Sequence, residues 1–317
     1  MLLELSLEMM SLATVQVLLS AYNGSKYIAE QIESILNQSY HTIKLLVRDD
    51  GSTDETTNIL QFYRKRYPSK IQCIKGENIG IVDSFLELLK HADPSCDYFC
   101  FCDQDDVWLP DKVERAVKFL HSYRSIPAMV CTSTRITDDS LRPISIWPKP
   151  PLREPSFYNA MVQNIAVGAT TTLNQQAWKL VAGKPVCSEN ILMHDWWAYL
   201  CVSAFGKVIF DPEPSILYRQ HGNNAVGSIR SFLDLLNRKW NSYKRHRGKH
   251  LLQKQASEFY RIYGNLLDEE KRTELLFFLK ERETFKDRLT YLSKCKVYRN
   301  SPFEQLLLRF LILIGYI

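Results

Sequence analysis

The sequence predicts an α/β protein: a doubly wound, mostly parallel sheet with helices on both faces, followed by a helical C-terminal extension. Three observations predict it. Short apolar runs recur every 25 to 30 residues through the first third of the chain, the spacing of β-α-β units joined by crossover helices. Each run ends in a polar cluster: Tyr22-Asn23, Asp49-Asp50, Asn78, and Asp103 to Asp106. Ligands of such sheets sit outside the carboxyl ends of the strands, so these clusters are expected to share one edge.

Val15 to Ser20 reads as the first strand, turning at Asn23-Gly24, with Ser25 as the expected cap of a helix running to about Gln38. Ile28, Ile32, Ile35 and Leu36 keep helical spacing there. Ile43 to Val47 is the second strand, leading through Asp49-Asp50-Gly51-Ser52 into a helix that ends near Tyr67. Ile71 to Ile74 is the third, followed by Glu77-Asn78-Ile79-Gly80 and a helix through Leu89. Tyr98 to Cys102 is the fourth, followed by a helix from Pro110 to about Tyr123. Beyond it the alternation loosens. Strands are expected at Met129 to Thr134 and at Asn164 to Leu173, the latter with a close-approach glycine at Gly168. Residues 143–155 hold five prolines and read as an irregular loop. A helix is expected over Ile191 to Phe205, short strands over Lys207 to Phe210 and Ile216 to Tyr218, and helices from Ser228 onward. The expected divisions are an extension over 1–13, an α/β domain over 14–227 in two halves, 14–123 and 124–227, and a helical region over 228–317.

With 317 residues, 45% of them apolar, the chain can fill one large core and a smaller appendage. Its net charge of +5 is uneven: between Arg230 and Ile262 nine Lys/Arg face only Asp234 and Glu258, a local +7 that leaves −2 for the rest. None of the eight cysteines forms a CxxC pair, so reduced, buried thiols and a cytoplasmic protein are expected. No secretory signal and no spanning apolar run are evident.

The chemistry concentrates in FCFCDQDDVW, Phe99 to Trp108. Asp103, Asp105 and Asp106 crowd a strand end, a costly arrangement unless a cation or hydrogen-bond donors offset it. Hard oxygen ligands suit Mg²⁺ or Mn²⁺ with phosphates in the remaining positions. An acidic turn capping the next helix is the plainer reading. There is no G-x-G-x-x-G after the first strand and no G-x-x-x-x-G-K-[ST], which removes hydride-transfer dinucleotide folds and P-loop enzymes. Bound phosphates would need a metal and cationic side chains.

The stretches LLSAYNGSKYIAEQIESILNQSY, LLVRDDGSTDET, ENIG, FCDQDDVWLPDKV, MHDWW and LYRQHGNN, in that order over residues 14–227, resemble family 2 inverting glycosyltransferases of the GT-A fold. DQDDVWLPDK with HDWW and YRQH is most similar to bacterial rhamnosyltransferases, which build cell-wall rhamnan, capsule or O-antigen polysaccharides from dTDP-L-rhamnose. By this resemblance Asp50 accepts a hydrogen bond from the pyrimidine imide N–H and Asp49 supports the turn. Ala21, Tyr22, Asn23 and Asn78 line the nucleotide floor, and Glu30 is a nucleotide-side carboxylate. Asp103 faces the ribose and, with Asp105 and His221, the metal; Gln104 lies on the donor side, and Arg219 pairs with the diphosphate. Asp195 is the expected catalytic base, with Trp196 or Trp197 framing the acceptor sugar. Many members have Glu-Asp where this chain has His194-Asp195, so only the second position carries over. A turn at Asp49-Asp50 and a dipole-favoured Asp195 at a helix start are the structural alternatives.

The implied reaction moves a sugar, L-rhamnose or in the alternative a hexose from a UDP-sugar, to a saccharide acceptor that is lipid-linked or a growing polysaccharide. A non-catalytic carbohydrate- or lipid-surface-binding subunit with the same fold is the rival class. The basic window and the apolar end point to peripheral contact with an anionic membrane, at the inner face of the cytoplasmic membrane, or to a homodimer interface. No nucleic-acid-binding motif is present.

Overall fold

The computed structural model describes residues 13–220 and 250–317. In it the apolar run Val15–Ala21 forms β1, followed by β2 Ile43–Asp49, β3 Ile71–Lys75 and β4 Tyr98–Cys102. These four pair in parallel in the order β4-β1-β2-β3, with Ala21 level with Asp49 and Leu19 level with Cys102. The sheet reaches seven strands, β10-β6-β9-β4-β1-β2-β3, through β6 Ala128–Thr132, β9 Thr172–Asn174 and β10 Lys207–Asp211. Only β9 runs antiparallel, between β4 and β6.

Burial on both faces explains why the strands read as unbroken apolar runs rather than alternations. Val15, Val17 and Leu19 of β1 pack with Ile28, Ile32 and Ile35 of helix Ile28–Leu36, with Leu60 of helix Thr56–Arg66, and with Val113 and Val117 of helix Lys112–Leu120. Phe99 and Phe101 of β4 face the other way. Phe101 meets Phe85 of helix Ile81–His91 edge-on, with ring centroids 5.5 Å apart, and Phe99 stacks on Trp178 of helix Gln175–Ala182 at 4.8 Å. A second, four-stranded sheet runs β5-β11-β7-β8, built from β5 Val107–Trp108, β7 Thr134–Thr137, β8 Pro143–Trp147 and β11 Ile216–Arg219.

The described residues divide into two units. The first holds both sheets and comprises 13–150, 165–185 and 193–219; the second comprises 151–164, 186–192, residue 220 and 250–317. In the second unit, helices Leu251–Tyr263, Glu269–Leu279, Phe285–Lys294 and Pro302–Leu313 enclose Phe259, Tyr263, Phe278 and Tyr291. Their starts are marked locally: the Asp268 side chain accepts from the Lys271 N–H, Thr284 and Asp287 make a capping box, and Pro302 opens the last helix.

Four expectations need correction. The run Asn164 to Leu173 is not one strand: Gly168–Thr170 is a 3₁₀ turn, and only Thr172–Asn174 is extended. The Thr170 and Thr171 hydroxyls both bond back to the Val167 carbonyl, at 2.8 and 3.1 Å, which coils the chain there. The proline-rich segment begins with a strand, because Pro143 opens β8 on a sheet edge, where a missing N–H costs nothing. Ser25 does not cap the first helix, whose N-cap is Tyr27 without a side-chain bond. The helix expected from Ile191 starts at His194. Expectations for 1–12 and 221–249, including His221 and most of the basic window, lie outside the described residues.

Candidate active site

The polar clusters do meet on one edge, and side-chain bonds stitch their loops together. Asn23, at φ 47° in the left-handed region that asparagine tolerates, donates its N–H to Ser52 Oγ at 3.0 Å and accepts from the Thr53 N–H at 2.8 Å. The Gly24 N–H donates to Thr56 Oγ1 at 2.8 Å. Gln104, after β4, binds the peptide of Tyr22 in both directions at 2.9 Å. Gly24 is required by that pairing, since a Cβ there would stand 2.1 Å from Gln104 Oε1. Gln104 therefore positions Tyr22, a residue 44% exposed. Ala21 is buried and Asn78 is exposed.

Asp49 holds the turn. Its Oδ1 accepts from the Ser52 N–H at 2.9 Å and its Oδ2 from Thr57 Oγ1 at 2.5 Å. Asp50 is buried; its Oδ1 accepts from Arg48 and from the Ile79 N–H at 3.0 Å, and its Oδ2 from the Gly80 N–H at 3.0 Å. One lone pair of Oδ2 is left over from that set. Arg48, which the sequence reading did not single out, also donates to the Glu77 carbonyl at 3.0 Å. Its signal was visible: a basic residue directly before the Asp49-Asp50 pair at the strand's end.

Beside these lie the carboxylates. Burial, then Asp105, then Asp195 push the pKa of Asp103 up to about 7, which puts the two strand-end carboxylates and the expected base in one electrostatic field. Asp106 is buried. Its Oδ1 accepts from the Arg219 N–H at 3.2 Å, while Oδ2 has no partner among the described residues. It anchors β11 and does not cap the next helix, whose N-cap is Asp111. Arg219 is 4% exposed and thoroughly engaged: it donates to the Asp105 carbonyl at 3.1 Å and the Asp139 carbonyl at 2.5 Å, pairs with Glu30, and lies 4.7 Å over the Tyr27 ring. Asp139 and Tyr27, both missed in the sequence, thus fix Arg219. Lys112 is buried, 4.2 Å from the Trp108 ring centroid and 3.4 Å from the Thr170 carbonyl, and burial lowers its pKa. A lysine opening a helix gives no sequence hint of that.

Asp195 stands in the first turn of helix His194–Phe205 and is 8% exposed; its Oδ1 accepts from the Trp196 N–H at 2.6 Å. Gly168 is the close-approach glycine the sequence predicted. A Cβ there would meet His194 Nε2 at 3.0 Å and Asp195 Oδ2 at 3.4 Å. His194 stacks on Phe85 at 3.7 Å, and neither ring nitrogen has a partner among the described residues. Burial lowers its pKa to about 3, so it is neutral. Trp197 is 0% exposed and belongs to the core, which removes it as an acceptor platform; Trp196 is half-buried. No group of three or more His, Cys, Asp or Glu able to hold a metal occurs among the described residues. The donor set still fits a hard dication, since Asp103 and Asp105 share a crowded anionic edge that such a cation would relieve.

This mostly parallel sheet has the GT-A fold, which solved structures share. The S. aureus TarS fragment 1-349, in complex with UDP, superposes with a TM-score of 0.56 at 16% identity, covering 84% of this chain and 70% of that one. The Pyrobaculum calidifontis mannosyltransferase PcManGT, in complex with GDP-Man and Mn²⁺, gives 0.51 at 15%, covering 96% and 87%. Residues 16–178, more than half of the chain, match the family model Glycosyl transferase family 2. The chain belongs to that family and is a glycosyltransferase. Among curated relatives, the dTDP-rhamnosyl transferase RfbG of Shigella flexneri is 29% identical over 246 residues, covering 70% of this chain and 80% of the relative.

Proposed function

We propose that this glycosyltransferase moves L-rhamnose from dTDP-L-rhamnose, with inversion, to a lipid-linked or growing cell-surface polysaccharide. The observation that supports the base is that the charge of Asp195 acts on Asp103, while its Oδ1 accepts from the Trp196 N–H at the helix start. Asp195 takes the proton of the acceptor hydroxyl. The freed oxygen attacks the anomeric carbon from the face opposite the diphosphate, and the bond to the phosphate oxygen breaks with its electron pair on the nucleotide. Trp196 offers the acceptor an indole face. Asp50 Oδ2 accepts from the thymine imide over the Tyr22-Asn23 floor, and Glu30 and Arg219 close the donor side. Asp103 and Asp105, with His221 as a third ligand, would hold Mg²⁺ or Mn²⁺. A bound dication would offset charge on the departing diphosphate.

Similarity to RfbG supports rhamnose, and the UDP complex of TarS supports a UDP-hexose as the second reading of the donor. Calorimetric titration with dTDP-rhamnose, UDP-glucose and UDP-galactose, with Mn²⁺ and with chelator, separates them. Metal-dependent binding of dTDP-rhamnose alone is the expected result. Preference for a UDP-sugar would overturn the donor and leave the family intact.

A further inference from the structure

Helices Phe285–Lys294 and Pro302–Leu313 pack against each other within the second unit, with Arg288 Nη1 donating to the Leu313 carbonyl at 3.3 Å. Helix Pro302–Leu313 buries Leu308 and Ile312. Leu306, Phe310 and Ile314, at the end of the same helix and spaced four residues apart, are exposed by 68, 54 and 44%. At about 100° per residue these three span a stripe of roughly 80°, centred about half a turn from the buried pair. The partner helix contributes Phe285 and Leu289, one turn apart and exposed by 61 and 48%. Five exposed apolar side chains thus lie on two packed helices of one unit, more than the single scattered residues an ordinary surface shows.

The charge around this surface selects what it meets. Residues 285–317 carry six Lys/Arg against Asp287 and Glu304, a net +4; Lys286, Lys294 and Arg309 are exposed, while Lys296 pairs with Glu270 at 2.7 Å. Two copies of so cationic a face would repel each other. An anionic lipid headgroup layer matches it in charge and accepts the apolar side chains beneath. No helix among the described residues is long and apolar enough to cross a membrane. The last helix, 12 residues long, would span about 18 Å against a hydrocarbon core of about 30 Å. We propose that this face seats on an anionic phospholipid surface, with Leu306, Phe310, Ile314, Phe285 and Leu289 in the headgroup–acyl boundary. The inference goes beyond the transfer reaction and does not rest on the donor or the base.

Co-sedimentation of the full chain with phosphatidylcholine vesicles, with and without a fraction of phosphatidylglycerol, tests it. Light scattering reports the oligomeric state, and Tm and dTDP affinity report the fold. The chain is expected to pellet with the anionic vesicles and to be released by salt. The double variant Leu306→Glu/Phe310→Glu should lose about tenfold or more in partitioning, with Tm and dTDP affinity unchanged because both residues are exposed. The variant Lys286→Glu/Arg309→Glu should lose only the preference for anionic lipid. Failure of the wild type to bind anionic vesicles would overturn the proposal, as would equal binding by the apolar double variant. A wild-type dimer that the double variant dissociates would assign the face to a second copy instead. Since no donor or acceptor is present, these outcomes stand apart from any failure of sugar transfer.

Discussion

The side-chain amide of Gln104 and the peptide unit of Tyr22 bind each other reciprocally, Nε2 to the carbonyl and the N–H to Oε1, both at 2.9 Å. This clip joins the loop after β1 to the loop after β4, so the proposed nucleotide floor and the acidic cluster are tied by one contact. Removing both bonds in Gln104→Ala should lower stability by up to about 2 kcal/mol, at about 1 kcal/mol per bond, and should weaken dTDP binding as the Tyr22 loop loosens. Gly24→Ala would force the same amide away, and the double variant should be no weaker than the worse single one. Additive losses in calorimetry would show that the two positions act separately.

The buried Arg48–Asp50 pair makes a different prediction. Arg48→Met leaves the Asp50 carboxylate buried with only the Ile79 and Gly80 amides. Stripping one partner from a buried ion pair costs about 3–5 kcal/mol. Urea denaturation should register that loss, and a change below about 1 kcal/mol would mean that water takes over for the guanidinium.

His194 gives the acid side of the stability profile. Its pKa falls from 6.5 in the unfolded chain to about 3 in the fold, through burial. The unfolded state therefore binds the extra proton between those values. The stabilisation is complete above about pH 6.5 and declines as pH falls, by up to about 1.4 kcal/mol per unit. His194→Asn should flatten the dependence of Tm on pH between 7 and 5 by one proton, whatever its absolute stability. An unchanged slope would place the titration elsewhere.

Much of the fold was legible because the β-α-β portion obeys local rules. Apolar runs buried on both faces, such as Val15–Ala21 and Tyr98–Cys102, cannot be mistaken for amphipathic elements, and their polar ends point to one shared edge. The second half was harder to read where side chains overrule the pattern. Thr170 and Thr171 bond back to Val167, and Pro143 finds an edge where it is tolerated. The acidic residues and Gly168 could be seen in the sequence. Their fixings could not, because Glu30, Asp139 and Arg219 are far apart in the chain and meet only when β11 is laid beside β7.

Gly168 offers a test of the proposed base that leaves the carboxylate in place. Gly168→Ala puts a methyl 3.4 Å from Asp195 Oδ2 and 3.0 Å from His194 Nε2. It should lower kcat by about tenfold or more while donor affinity is kept. A selective loss of donor affinity would place this glycine in the nucleotide site instead.

The most direct test of the central claim is the transfer rate of Asp195→Asn, measured with donor and acceptor saturating and paired with the donor's dissociation constant. The expected result is a fall in rate of about a hundredfold or more, in the range of a lost general base, with donor binding unchanged. A variant that transfers sugar at the wild-type rate would contradict the assignment of Asp195 as the base.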